Sequence, residues 1–326
     1  FGVLTADIAL GNLIGGRLLR FLPLRAVALS SLAVTAAGCA VASQSTAFSQ
    51  LIGAQILIGL GVGLFFAPGL KATGLAAGSR RRGLAMGIFG VAFSAGLAAA
   101  AFLASQVAET DWRSAFMVAA WACIGGFLVL AFVKLPDSPE PPPSRRGFAP
   151  MRLPVLVGTV GTVSQYGTVG FLALFAVSSW GFSPAEAAVL LAVGRVLSAP
   201  GKIAVGTIAD RFGSRAALRS VALLLLLSGL GWSWVPASPL ATGAAVLFVA
   251  TVSALFPIAN LLAFERFGTQ GGMLGTYRSA QIALGSLAAF LIGALAEGYG
   301  LRPVLIVSVF TPLALLGRSS APGQDG

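Results

Sequence analysis

Three basic side chains stand inside otherwise apolar runs. Arg195 and Lys202 lie seven residues apart in LLAVGRVLSAPGKIAVGTIADRFGSR (190–215), and Arg278 lies in GTYRSAQ (275–281). A guanidinium is a planar, five-donor fork that meets a carboxylate with two hydrogen bonds, so an arginine in an apolar run is suited to holding an anion. Asp7 is the sole acid in the interior of such a run, and a desolvated carboxyl can carry a proton. The chain has no histidine; a proton relay must use carboxylates, and a His-ligated metal is excluded. Cys39 and Cys123 lie in apolar runs, where a small buried thiol is ordinary, and two cysteines build neither a disulfide framework nor a Cys metal site. With no nucleophile–base constellation and no metal cluster in the sequence, no enzyme, cofactor or metal is expected.

The elements that must position these charges are membrane helices. Of 326 residues, 57% are hydrophobic and 10% charged, where soluble domains carry about a quarter charged residues. With a mean hydropathy of +0.91, the chain cannot cover a water-facing surface. Apolar runs separated by turn residues and charges fall at 1–19, 25–44, 47–70, 83–106, 112–133, 154–179, 184–208, 216–235, 240–264, 273–296 and 302–317. Most of these eleven approach the roughly 20 residues a helix needs to cross hydrocarbon.

The net charge of +11 is distributed as membrane topology demands rather than as a nucleic-acid patch, because the cations fall between the spans. One set of loops, including Arg17, Arg20, Arg25, Lys71, Arg80, Arg81 and Arg82, holds sixteen cations, and the opposite set holds only Arg113 and Arg302. By the positive-inside rule the basic side is cytoplasmic. PDSPEPPPSRRGFAP (136–150) reads as an extended cytoplasmic linker. The expected organisation is a helical bundle over 1–135, a linker over 136–152, a second bundle over 153–318 and a cytoplasmic tail over 319–326.

The halves repeat. GGRLLRFLPLR (15–25) and VGTIADRFGSR (205–215) align at an offset of 190. FFAPG (65–69) and LFPIA (255–259) align their prolines at 189, as do GLAAAAFLASQVAETDWR (96–113) and GSLAAFLIGALAEGYGLR (285–302). One period shared by three markers indicates a duplicated helical unit. Five spans precede the linker and six follow it, so one N-terminal helix is expected to be missing and the visible spans are counted as helices 2 to 12.

GTIADRFGSR (206–215) resembles the signature of the major facilitator superfamily of secondary transporters in the loop after helix 8. QILIGLGVG (55–63) is similar to the family's helix 4 pattern, with Gln55 where an arginine is usual, and DWRSAF (111–116) to the start of helix 6. The resemblance spans essentially the whole chain. It implies an all-α fold of two pseudo-symmetric six-helix bundles and a transporter working by alternating access, with a site near mid-membrane. It also implies a gating motif of Gly206, Asp210, Arg211, Gly213 and Arg215 that latches the outward-open state. A tight basic turn is the plainer reading of the same residues. Asp210 is placed to accept hydrogen bonds at a helix N-terminus. The first-half copy departs from the signature, with Arg20 in place of the aspartate and Pro23 in place of the glycine, so the latch is expected to rest mainly on Asp210.

The intramembrane charges keep two readings each. Arg195 is roughly 16 to 20 Å from either end of its span, where insertion costs about 2.5–3.5 kcal/mol; it faces an anionic substrate or pairs structurally. Lys202 contacts substrate or snorkels to the cytoplasmic surface. Arg278 joins Arg195 around an anion or caps the gate. Asp7, which the repeat offset places at position 197, carries a coupling proton or pairs with arginine. Gln165, Tyr166 and Asn260 bond substrate or bond neighbouring helices.

Cations on helices 8 and 11 are similar in placement to those of the oxalate–formate antiporter and monocarboxylate transporter branches, which implies a small organic anion moved by proton symport or exchange. A proton-coupled drug or metabolite exporter is the alternative, although GIFGVAFSAGLAAA (87–100) lacks the Gly-Pro pair usual there. A transporter-like sensor is the alternative outside transport. The expected partners are a small anionic substrate, protons and the lipid bilayer, without nucleic acid, for a monomer in a bacterial inner membrane.

Overall fold

Hydrocarbon offers no partner to a backbone N–H or C=O, so a chain that enters it must close its hydrogen bonds within each segment. The computed structural model of the chain describes residues 2–78, 80–107, 112–136 and 152–318. Every regular element among the described residues is helical. The helices are α1 (Gly2–Leu18), α2 (Leu24–Ser43), α3 (Phe48–Ala76), α4 (Arg82–Val107), α5 (Trp112–Phe132), α6 (Arg152–Thr162), α7 (Val169–Trp180), α8 (Pro184–Phe212), α9 (Ser214–Trp234), α10 (Pro239–Phe267), α11 (Gly271–Tyr299), α12 (Leu301–Val309) and α13 (Leu313–Arg318). A π-helical turn, Val163–Thr168, joins α6 to α7. Eight of the resulting spans are long and apolar enough to cross a membrane. All eleven expected runs are helical, two of them interrupted: one by the π turn, the other between α12 and α13.

Local chemistry sets the boundaries. At the start of α8 the Ser183 hydroxyl accepts from the Glu186 N–H at 3.2 Å, and the Glu186 carboxylate accepts from the Ser183 N–H at 2.7 Å. With Pro184 at the first helical position, this satisfies donors that a helix leaves open. The chain then turns from α8 into α9 at Gly213, whose φ of 87° is a conformation other residues adopt only under strain. That is the physical content of the glycine in the loop signature. Pro68, Pro200 and Pro257 lie within α3, α8 and α10. The first and last of these are the prolines paired by the repeat.

The chain divides into two compact units. The first comprises Phe1–Gly78, Ala92–Met151 and Ala263–Ala283. In it α3 packs on α1 and on α2, and α2 packs on α5. Only 6% of the most apolar window of α5 is buried, and Trp121, Val129 and Phe132 project from it; that face is built for lipid. Lys71, counted from the sequence among loop cations, instead lies inside α3 and is buried.

The second unit comprises Ser79–Val91, Arg152–Leu262 and Leu284–Gly326. Within it α9 contacts α8, α12 and α13, and α7 contacts α8. Here α10 is the enclosed helix, with 78% of its most apolar window buried. Trp232 of α9 is wedged edge-on between Phe175 of α7 and Phe248 of α10, at centroid distances of 5.2 and 5.8 Å. Offset and edge-to-face aromatic contacts add to simple burial. Removing this wedge leaves a cavity that helix backbones cannot close. Trp232→Ala is therefore expected to lower the melting temperature in detergent, on the scale of the about 3–5 kcal/mol that large-to-small core changes cost. Trp234→Ala, at an exposed position, is expected to leave it unchanged.

Candidate functional site: the α8 helix and its contacts

The loop signature ends α8 as a cap for another helix. Helix α4 begins at Arg82, and its first-turn N–H groups have no acceptor within α4. The Asp210 carboxylate supplies one, accepting from the Gly83 N–H at 2.7 Å and the Leu84 N–H at 2.9 Å. A carboxylate at a helix N-terminus also meets the positive end of the helix dipole. Asp210 reaches the α4 backbone because Gly206, one turn earlier, lies directly on Gly83: a Cβ on either would strike the other's carbonyl oxygen. Arg211 and Arg215 are exposed beside the Gly213 turn, where headgroups would surround them.

Further along the same face, Gly87 of α4 meets the Lys202 carbonyl. Lys202 is buried and donates through Nζ to the Gly90 carbonyl at 3.2 Å. It does not snorkel. Phe256 and Pro257 of α10 border the same glycine, so the ammonium is enclosed by helices rather than by headgroups.

Arg195, eleven residues into α8, is exposed. The adjacent Gly194 packs against Val249 of α10, and Pro200 lies within α8 between the two cations. In the same unit, the π turn carries Gln165 and Tyr166, the latter 41% exposed. The wide turn is pinned at its end by the Thr168–Ser308 hydroxyl pair at 2.9 Å. Single π turns inside α-helices cluster at functional positions because they re-aim side chains, and no spacing rule applied to the sequence shows this one. Asn260 of α10 is fully buried and presents no surface in this arrangement.

Arg278 and Asp7 belong to the first unit. The Arg278 guanidinium lies over the Phe66 ring at 4.1 Å and donates to the Gln281 side chain at 2.6 Å, nearly buried. Its neighbour Ser279 donates to the Ala9 carbonyl of α1. One carboxylate oxygen of Asp7, Oδ2, is buried without a hydrogen-bond partner.

The α1–α11 contact is the repeat counterpart of the α4–α8 contact. Gly16 of α1 packs on Gly271 and Gly275 of α11, as Gly206 packs on Gly83. The chemistry differs where the aspartate would stand. Arg20 occupies that position, with its guanidinium 3.1 Å from where a Cβ on Gly272 would lie, and a cation cannot accept from the first turn of α11. Sequence reasoning missed this contact's residues, the burial of Lys71 and Lys202, and Gln281 as a partner of Arg278. The repeat offset alone pairs Gly16 with Gly206.

Helices of this length and apolarity, in a chain whose halves repeat, define a polytopic helical membrane protein. The sequence profile of the Major Facilitator Superfamily matches residues 2–289, and the chain belongs to that family. It is 31% identical over 205 residues to an uncharacterized MFS-type transporter of Mycobacterium tuberculosis, in strains H37Rv and CDC 1551. That match covers 57% of this chain and 46% of the relative, so the chain spans about half the length of the curated relatives it matches. Among solved structures, it is similar to the human organic anion transporter MFSD10 (TM-score 0.84, 18% identity, 98% of this chain and 82% of that one). It is likewise similar to the transporter FucP in its outward conformation (0.82, 15%, 98% and 90%) and the proton:xylose symporter XylE (0.77, 13%, 96% and 83%). These likenesses establish the fold.

Replacing a capping side chain by alanine costs about 1 kcal/mol. Asp210→Ala is expected to speed amide hydrogen exchange in the first turn of α4, while Asp210→Asn, which keeps one acceptor, falls between it and the parent.

Proposed function

We propose that the whole protein is a secondary carrier working by alternating access and that its cargo is a small organic anion, a mono- or dicarboxylate, moved by proton symport or exchange. Solved neighbours of this fold include both an organic anion transporter and sugar carriers, so the argument for the cargo rests on this chain's own charges. Arg195 carries it. It lies about 16 Å from the start of α8, too deep to reach headgroups, and a permanent cation there is costly unless something anionic comes to it. The exposed Arg195 is available to a ligand, whereas Arg278 is occupied by Phe66 and Gln281. That difference favours Arg195 as the principal anion site and a gate role for Arg278.

Gln165 and Tyr166 on the π turn supply hydrogen bonds to the cargo, and Asn260 contributes only once α10 loosens. Gly206, Asp210, Arg211, Gly213 and Arg215 form the latch that the capped α4 supports. Asp7 is the coupling carboxyl: it is the sole acid in the interior of an apolar run, and its Oδ2 is buried without a hydrogen-bond partner. The protein works as a monomer in a bacterial inner membrane, with the basic loops and the 136–152 linker in the cytoplasm, as a charge bias of fifteen to two, once the buried Lys71 is set aside, supports.

A thermal-shift screen of small carboxylates, inorganic anions and lipophilic cations on the full-length protein is expected to single out carboxylates. Hydrogen bonds to charged groups are worth about 1.5–3 kcal/mol, or roughly 10- to 150-fold in affinity. Arg195→Ala is expected to weaken carboxylate binding and uptake by that factor; unchanged uptake and affinity would sink the anion reading. Asp7→Asn is expected to abolish pH-driven uptake in proteoliposomes and to spare counterflow exchange. No effect on either removes Asp7 from coupling.

A further inference from the structure

Arg195 offers the cargo one guanidinium, and the side chains around it on α8 restrict what the rest of the cargo can be. By helical period, Ala188, Leu191, Ala192 and Ala199 share the Arg195 side of the helix. Ala188 and Ala192 are exposed, and Leu191 and Ala199 are half-buried. None of the four side chains donates or accepts a hydrogen bond. Ser198, the hydroxyl nearest in sequence, is buried and donates to the Arg195 carbonyl at 2.6 Å, so the helix backbone engages it.

The charges along α8 are equally restrictive. Among the described residues of the second unit, Arg195 is the one exposed cation in mid-span; Lys202, seven residues on, is buried where α4 packs. Towards the start of α8 the next charged side chain is Glu186, an anion. A second carboxylate on the cargo therefore finds apolar side chains beside Arg195, a closed helix contact in one direction and an acid in the other. Gln165 and Tyr166 are neutral and do not balance a second full charge. A carboxylate taken from water with no cation to meet it is strongly disfavoured.

An apolar body is favoured in the same place. From Arg195 back to Ala188 is about 10 Å along the axis, and the exposed side chains on that path are alanines. Hydrocarbon laid over them leaves water, which gains about fourfold in affinity for each methylene fully buried.

We infer that the cargo is an amphipathic monocarboxylate: Arg195 holds its single carboxylate, and its hydrocarbon body lies along Ala192 and Ala188 towards the start of α8. The inference rests on the anion reading above and narrows it, because dicarboxylates are excluded. Ala192, about one turn before Arg195, becomes the residue that sets how large a body fits.

The test is binding of a matched series of acids to the full-length protein in nanodiscs, with empty nanodiscs as the blank. The series is acetate, butyrate and hexanoate, with adipate, which differs from hexanoate only in carrying a second carboxylate in place of the terminal methyl. Affinity is expected to rise from acetate to hexanoate by up to about fourfold per methylene. Adipate is expected to bind at least roughly tenfold more weakly than hexanoate. Arg195→Ala is expected to remove the binding of every acid in the series. Ala192→Leu should weaken hexanoate and spare acetate, whereas Val196→Leu, on the adjoining face at 72% exposure, should leave the whole series unchanged. The parent series decides alone if Ala192→Leu does not fold. Flat affinity along the series, or adipate equal to hexanoate, overturns the amphipathic cargo; loss of that binding in Arg195→Ala then leaves the anion reading standing. Rising affinity that survives Arg195→Ala also overturns it, since hydrocarbon alone then holds the acids. Parent-like hexanoate binding in a folded Ala192→Leu removes the body from this face of α8. If no acid binds, the anion reading fails and this inference fails with it.

Discussion

Helices immersed in lipid have no water to expel from between them, so what holds them together is close approach of their backbones. This chain achieves it where Gly206 crosses Gly83 and where Gly16 crosses Gly271 and Gly275. Both crossings leave no room for a side chain, and both put first-turn or mid-helix backbone groups within reach of a neighbour's polar atoms. The cap that Asp210 places on α4, the Lys202 bond to Gly90 and the Ser279 bond to Ala9 all depend on that proximity. Without it, the Asp210 carboxylate and the Ser279 hydroxyl would not reach the neighbouring backbone.

The two crossings share geometry and differ in charge. The α4–α8 contact carries an acceptor at its end and an ammonium at its middle; the α1–α11 contact carries a guanidinium at its end and neutral amide and hydroxyl groups at its middle. An aspartate at a helix N-terminus complements the dipole, and an arginine there opposes it. One contact is thus tied by electrostatics and the other mainly by fit. Duplication supplied two copies of one solution, and substitution at Arg20, Asp210, Asn12 and Lys202 made them unequal.

The helical runs and their order were legible in the sequence because the bilayer leaves few alternatives: an apolar run of about 20 residues has one stable form. The capping role of Asp210 was legible too, since a carboxylate beside a glycine at a loop is a short-range pattern. What was not legible depends on tertiary contacts. Lys202 looked free to snorkel because its depth in the span is ambiguous along the sequence, and only α4 packing over it decides otherwise. Lys71 looked like a loop cation because the apolar run ends before α3 does. The π turn at Val163–Thr168 left no trace, because one surplus residue alters neither hydropathy nor helical propensity. Pairing of Arg278 with Phe66 and Gln281 requires knowing which face α11 turns towards α3.

That surplus residue has a consequence for the long helix that contains it. A π turn holds one residue more than the α-helical turn it replaces, in the manner of a dislocation in a crystal row. If the surplus moves along α7, every residue it passes advances by one helical step, about 100° of rotation and 1.5 Å of rise. Gln165 and Tyr166 sit at the fault itself, while Thr168 is fastened to Ser308 at its edge. The hydroxyl pair therefore ties the edge of the fault to α12, so the two side chains that the surplus residue re-aims are held at a fixed place along the helix.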